Sequence, residues 1–153
     1  MNGVTVRPAT AGDADALVER NVLLAAESEG RALDPGVVAR GVRLLLSDPD
    51  RGRYWIAEAD GAPRGSCLVT TEWSDWTNGR YWWLQSVYVD PEWRRRGVFR
   101  ALWEAVVAEA RAAGDVASIR LYVLAGNAAG RATYEGVGME DTGYLVYERE
   151  IDR

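Results

Sequence analysis

"VDPEWRRRGVFRAL", Val89 to Leu102, decides how the rest of the chain is read. Behind it lies YWWLQSVYVD (81–90), an aromatic and β-branched run of the kind that forms a strand. Ahead of it, Val98, Leu102, Ala105, Val106 and Ala110 recur at three- and four-residue spacing. That spacing predicts an amphipathic helix over 97–113, ended by Gly114. The turn between strand and helix holds Arg94, Arg95, Arg96 and Gly97, with Arg100 one turn further on. The net charge of the chain is −5, so this cluster is not a by-product of general basicity. A helix N-terminus presents unpaired N–H groups and a partial positive charge. A glycine lets an anion approach the backbone, and arginines add charge-assisted, bidentate hydrogen bonds. Two readings stand side by side. The turn is a phosphate or pyrophosphate site, or it is a solvated basic corner that neutralises Asp90 and Glu92.

Outward from this turn the chain reads as one α/β domain over residues 1–153. Residues 4–7 predict a short strand ended by Pro8. Thr10 caps a helix over 11–26, with Asp13 and Asp15 in its first turn. "ESEGRALDPG" (27–36) breaks that helix, and a second follows over 36–47. RYWIAEAD (53–60) and SCLVTTEW (66–73) predict a hairpin joined by GAPRG, and SDWTNG is the next loop. After the central helix come a strand over 117–124, a short helix from Asn127 and a final strand, GYLVYERE (143–150). The element order is β-α-α-β-β-β-α-β-α-β.

Composition removes whole classes of chemistry. There is no histidine, which excludes Ser-His-Asp and Cys-His catalysis and histidine zinc sites. All 18 basic residues are arginine, so a phosphate loop of the GxxxxGK[ST] type and a Schiff-base lysine are excluded as well. One cysteine, Cys67, allows no intramolecular disulfide and fits a reducing compartment. No apolar run approaches the roughly 18 residues needed to span a bilayer. The expectation is therefore a cytoplasmic protein without a membrane partner. Its acidity argues against broad nucleic-acid binding.

The run SVYVDPEWRRRGVFRAL resembles the acetyl-CoA-binding motif of the GCN5-related N-acetyltransferase (GNAT) family. That motif, Arg/Gln-x-x-Gly-x-Gly/Ala, follows a strand and a proline and opens the central helix. Here it reads Arg94-Arg95-Arg96-Gly97-Val98-Phe99, with Phe99 where the family has a small residue. A ring there fits only if it points toward the packing face of the helix. A second stretch, NAAGRATYEGVGM, resembles the family's Asn and Tyr signature. Asn127 and Tyr134 are two turns apart, on one helix face. The plainer alternatives are an N-cap and a core aromatic.

The resemblance implies a fold and a site. The fold is a mixed, mostly antiparallel sheet whose fourth and fifth strands are parallel and splay apart, with helices on both faces. Acetyl-CoA is the implied co-substrate. Its pantetheine would pair with the backbone of Val87, Tyr88 and Val89. Its pyrophosphate would lie on the segment Arg94, Arg95, Arg96, Gly97, Val98, Phe99 and Arg100. Asn127 would hold pantetheine or a water, and Tyr134 would protonate the leaving thiolate. No metal is expected.

The general base is not assigned by the resemblance, because the fourth strand has no early glutamate. Glu72 is one candidate, Glu27 and Glu29 are others, and a water chain to backbone carbonyls and Gln85 is a further route. Each carboxylate also reads simply as a solvated surface group. Trp73, Asp75 and Trp76 are candidates for an acceptor pocket that attracts a cation. Cys67 reads as buried packing rather than a covalent carrier. The leading expectation is transfer of an acetyl group to the primary amine of a small molecule. The variants are a peptide or protein acetyltransferase and a non-catalytic acyl-CoA-binding module. A homodimer is also compatible with the sequence.

Overall fold

A computed structural model describes residues 3–153. Two compact units divide the chain, the first ending at Tyr122 and the second formed by Val123–Arg153. In the first unit, β1 (Thr5–Pro8) leads through a single 3-10 turn into α1 (Ala14–Glu29) and α2 (Pro35–Ser47). Then come β2 (Arg53–Ala59), β3 (Ala62–Ser74), β4 (Gly79–Val89), α3 (Val98–Ala113) and β5 (Val116–Leu121). The sheet runs in chain order from β1 to β5. The first four strands are antiparallel, and β4 and β5 are parallel.

Alternation along the strands gives the sheet two apolar faces. On one, Trp55, Ala57, Cys67, Val69 and Leu84 pack with Val98, Leu102 and Val106 of α3. On the other, Tyr54, Ile56 and Leu68 pack with Ala14 and Leu17 of α1 and Val42 of α2. Leu17 and Leu102 are each 1% exposed, and full burial of a leucine is worth about 1.5–3 kcal/mol. The sequence periodicity of α3 is thus realised as its buried stripe. A contact at Gly65 fixes how close α3 starts to the sheet. A Cβ there would lie 2.7 Å from Val98 Cγ1 and 3.1 Å from the Tyr88 carbonyl oxygen.

Several boundaries differ from the sequence expectation: the strand expected over 117–124 ends at Leu121, and α1 begins at Ala14 after a 3-10 turn. The helix expected to stop at 26 continues to Glu29, because Gly30 takes a left-handed conformation (φ 62°) and donates its N–H to Ala25 and Ala26. Glu27 and Glu29 therefore stand on the last turn of α1, not in a loop. The connection expected at GAPRG shrinks to Asp60 and Gly61, both at positive φ, as in a two-residue hairpin turn. Pro63, Arg64 and Gly65 join β3.

The second unit contains α4 (Ala128–Glu135). The strand expected over 143–150 does not form, and residues 139–153 carry no regular secondary structure. The apolar run predicts the propensity correctly, but a strand exists only when its N–H and C=O groups meet a neighbouring strand.

Candidate active site

β4 is the strand on which the site is built. Its pairing with β5 begins at Arg80 opposite Val116 and ends at Leu84 opposite Leu121, where β5 stops. β4 runs on to Val89. Among the described residues, no strand flanks Gln85 to Val89 on that side. The same stretch is irregular on its other side. Ser86 sits at φ 50°, and the register against β3 shifts between Ser66 and Leu68. This is a β-bulge, which re-aims the side chains that follow it. β4 thus continues past the end of β5, with its backbone from Gln85 to Val89 beside no strand on that side among the described residues.

From the end of β4 the arginine turn leads into α3. Arg95 (φ 62°) and Gly97 (φ 83°) both take left-handed conformations. Left-handed residues at a helix start build the concave backbone that binds anions. Gly97 is the N-cap residue and has no side chain with which to close the helix end. Phe99 packs against the α3 core cluster, the only direction in which its ring leaves the turn open. Arg96 lies over the Trp93 ring at 5.2 Å, and Arg64 lies 5.0 Å from the same ring.

Arg94 is used differently from its neighbours. Its Nε donates to the Val89 carbonyl (3.0 Å) and its Nη2 to Glu27 (2.8 Å), and its guanidinium lies 5.5 Å from the Tyr88 ring. It ties the end of α1 to the end of β4. Tyr88 completes the tie by donating its hydroxyl to Glu27 at 3.1 Å. Burial and the Glu27 carboxylate hold the Tyr88 phenol above its usual range, so it stays a donor. Of the two carboxylates at the end of α1, only Glu27 is brought against β4. Glu29 instead faces Arg31 at 3.6 Å.

A second brace lies just behind. Arg20, mostly buried in α1, donates to the Pro63 carbonyl (2.8 Å) and to Asp90 (3.0 Å). Asp90 is the residue at which β4 gives way to the arginine turn, and burial raises its carboxyl above the usual range. Sequence reasoning missed this pair. The available signal was an arginine at i+3 from Leu17, on the buried stripe of α1, where a charge needs a partner.

The other candidates are scattered. Glu72 accepts from the Trp83 indole N–H at 3.2 Å on the exposed end of β3. Gln85 donates to Thr70 Oγ1. Trp83 and Tyr122 stack with centroids 4.7 Å apart. Trp73, near the end of β3, and Trp76, in the β3–β4 turn, are 62% and 89% exposed, and Asp75 between them is exposed as well. Cys67 is fully buried, and burial pushes its thiol up to about 12, which removes it as a nucleophile at neutral pH.

In the second unit, Asn127 caps α4 by accepting from the Gly130 N–H at 2.9 Å. Its amide oxygen thus has the capping role weighed from sequence, and its NH2 group lies close to Gly130. A Cβ at Gly130 would lie 2.6 Å from Asn127 Nδ2, so a larger residue there would displace the capping side chain. Burial raises the Tyr134 phenol above its ordinary range, so its proton is retained at neutral pH. Among the described residues there is no group of three or more His, Cys, Asp or Glu side chains able to hold a metal ion. No helix among them is long and apolar enough to cross a membrane.

Comparison with known proteins agrees with this architecture. Residues 23–139 match the model of the acetyltransferase (GNAT) family. The structure of a possible acetyltransferase from Clostridium difficile 630 is similar over 98% of this chain and 99% of that one, with 37% identity and a TM-score of 0.90. A predicted acetyltransferase from Clostridium acetobutylicum, solved with acetyl-CoA, shares 21% identity at a TM-score of 0.79, covering 95% of this chain and 96% of that one. An aminoglycoside acetyltransferase from an uncultured soil metagenomic sample shares 12% at a TM-score of 0.79, over 99% and 98% of the two chains. The last two show likeness of fold. No protein of curated function matches the chain.

Proposed function

Because the chain belongs to the GNAT family, whose members are acetyl-CoA-dependent N-acetyltransferases, we propose that it acetylates the primary amine of a small, cationic molecule by direct attack. One observation supports the cofactor side above all others. An unpaired length of β4 ends in a glycine-opened, arginine-rich helix start. The backbone of Val87, Tyr88 and Val89 suits an extended amide chain, which pairs as a strand would. The Val89 carbonyl is already engaged by Arg94, so the remaining backbone groups carry that pairing. Arg95, Arg96, Gly97, Val98, Phe99 and Arg100 form the pyrophosphate turn, with Arg94 as the clamp that fixes its first residue. Asn127 offers its NH2 group to pantetheine or to a water.

The chemistry follows from acid-base balance. An alkyl ammonium, with a pKa of about 10, must lose a proton before it attacks. The amine nitrogen then bonds to the thioester carbonyl carbon, and the oxyanion is met by the Val87 N–H. The C–S bond breaks and the electron pair stays on sulfur. Tyr134 gives that thiolate its proton, and the proton that the acylated nitrogen releases as the amide forms replaces it by way of solvent. Glu72 remains the candidate base, with Gln85 and water as the alternative route. Glu27, between Tyr88 and Arg94, is better suited to attract and orient an ammonium group than to remove its proton.

An amine panel with acetyl-CoA, followed by thiol release, tests this reading. Turnover of small amines supports it. Turnover of peptide amines alone points to the peptide variant, and binding of acetyl-CoA without turnover points to a binding module. The Tyr134 role has its own test. Tyr134→Phe should lower kcat roughly ten- to a thousandfold, within and below the range for general acid catalysis because a thiolate is already a fair leaving group. Acetyl-CoA affinity should stay within a few-fold. An unchanged kcat in the folded variant would reduce Tyr134 to a packing residue.

A further inference from the structure

Three consecutive residues of β3, Pro63, Arg64 and Gly65, hold the arginine turn at both ends. At its start, the Asp90 N–H donates to the Arg64 carbonyl at 2.8 Å. At its end, Val98 packs so close to Gly65 that a Cβ there would lie 2.7 Å from Val98 Cγ1. Between the two, the Arg64 guanidinium lies 5.0 Å from the centroid of the Trp93 ring. The segment is short and turns sharply. Pro91 opens a 3-10 turn, which the Trp93 N–H closes on the Asp90 carbonyl at 2.8 Å, and Arg95 and Gly97 follow at positive φ. With both ends fixed, the direction in which the turn presents its N–H groups follows from where Asp90 sits on β3.

Asp90 is placed by a residue from the other face of the sheet. α1 packs opposite α3, and its Arg20 is 8% exposed. Arg20 Nη2 donates to the Pro63 carbonyl (2.8 Å) and to both Asp90 carboxylate oxygens (3.0 and 3.3 Å). One nitrogen thus bridges the start of β3 to the end of β4. An arginine–carboxylate pair is strongest as a fork of two parallel bonds, and this pair is not a fork. Arg20 Nη1 reaches only its own helix, at the Ala16 carbonyl, and Nε is buried and makes no hydrogen bond among the described residues. A buried ion pair is also weak evidence for stability, because desolvation of both charges offsets their attraction. What the arrangement does secure is the distance between Pro63 and Asp90.

On the reading of the arginine turn as a pyrophosphate site, we propose that Arg20 is a positioning residue for the cofactor. Through Asp90 it sets the turn against the platform of residues 63–65, and so aims the open N–H groups at the start of α3 toward the diphosphate. Arg20 acts without touching the ligand. Asp90 neutralises its charge, so the pair adds little net field at the turn and works by geometry. Geometry of this kind is worth a great deal, since a misplacement of about 1 Å can cost about a hundredfold.

The test on the full chain uses Arg20→Met and, separately, Arg20→Met combined with Asp90→Leu. The double variant leaves no unpaired buried charge and keeps the net charge of the chain, and apolar replacement of a buried pair is often neutral for stability. Calorimetry should show acetyl-CoA affinity about tenfold lower in both variants. The salt dependence of binding in the double variant should match that of the unaltered chain, since no phosphate contact is lost. At saturating amine, the KM for acetyl-CoA should rise while kcat stays within a few-fold. Amide hydrogen exchange should quicken in residues 91–97 and not in α2. Affinity that returns in the double variant overturns the proposal, because Arg20 then matters only as the partner of a buried charge. Exchange that quickens throughout the chain overturns it as a general loss of stability, and a flattened salt dependence overturns it in favour of direct contact. Arg95→Ala with Arg96→Ala tells a failure here from a failure of the pyrophosphate reading. If that variant weakens binding and the Arg20 variants do not, the platform is wrong and the turn still binds the diphosphate. If none of them weakens binding, both ideas fall.

Discussion

Helices α2 and α3 face the same problem at their N-termini and meet it in opposite ways. The start of α2 is closed by its own chain. The Asp34 carboxylate accepts from the Gly36 N–H at 2.8 Å and from Val37 at 3.4 Å, with Pro35 in the first turn. The 3-10 turn that leads into α1 is closed by Asp13, which accepts from the Thr10 N–H at 2.7 Å, and the start of α4 is closed by Asn127. The start of α3 has Gly97, preceded by three arginines. A capped helix end is chemically finished. A glycine start beside three cations is arranged for an anion from outside. The same partial charge is a stability device in one place and a binding device in the other.

The sharpest way to break the contrast is to give α3 the carboxylate it lacks. Gly97→Asp puts a negative side chain where the pyrophosphate is proposed to lie, at a left-handed position that aspartate tolerates better than most residues. Acetyl-CoA affinity should fall about a hundredfold, near 2.8 kcal/mol. Calorimetry showing tight binding in the folded variant would move the pyrophosphate elsewhere.

The second test acts on a finished end. The Arg7 guanidinium contacts Asp13 at 2.8 Å and holds its carboxyl down at about 2, from 3.8. Because the folded value is depressed, this stabilisation is complete above the unfolded value and is lost as pH falls through the folded one. At about 1.4 kcal/mol per pH unit it amounts to about 2.5 kcal/mol. Denaturant melts between pH 5 and 2 should show that loss, and Asp13→Asn should flatten it. An acid limb identical in the variant would show that Asp13 does not govern it.

Replacing Arg95 and Arg96 with alanine removes cations but leaves the glycine-opened backbone. Acetyl-CoA affinity should drop at least tenfold, about 1.4 kcal/mol. The salt dependence of binding should flatten, since these are exposed charges. Unchanged affinity would make the cluster the solvated corner that its sequence equally allowed.

How much of this was legible in sequence depends on whether the deciding contacts are local. The α3 start could be read directly, because glycine, arginines and helix periodicity sit within a few residues of one another. The turn of Phe99 toward the packing face followed from the same helix. Arg94 looked like its two neighbours, yet Glu27 and Tyr88 claim it, and that partnership spans 67 positions. Arg20 and Asp90 are 70 apart. Nothing in local spacing reveals such pairs, although a charge on an apolar stripe signals that one must exist. The final strand fails for the same reason. Residues 143–150 have the pattern of a strand, but pattern gives the face and not the partner. The spacing of Trp73, Asp75 and Trp76 did not reveal their exposure either, since Trp73 stands at the exposed end of β3 and the other two in the turn that follows.

The smallest expected effect is the one that isolates the contrast. Asp34→Ala removes the side chain that closes α2 and leaves α3 untouched. Loss of a cap of this type costs about 1 kcal/mol. The cost here comes from two N–H groups, Gly36 and Val37, that lose an acceptor at an exposed helix end. Water replaces part of that bonding, which keeps the penalty modest. Asp34→Asn should restore most of the stability, because an amide oxygen can accept the same bonds. Neither variant should change acetyl-CoA affinity, since α2 packs on the opposite face of the sheet from α3. The measurement pairs a urea melt with a binding titration for each variant. A loss of affinity in Asp34→Ala at unchanged stability would mean that the α2 end takes part in ligand binding. The division between finished and open helix starts would then be wrong at its first term.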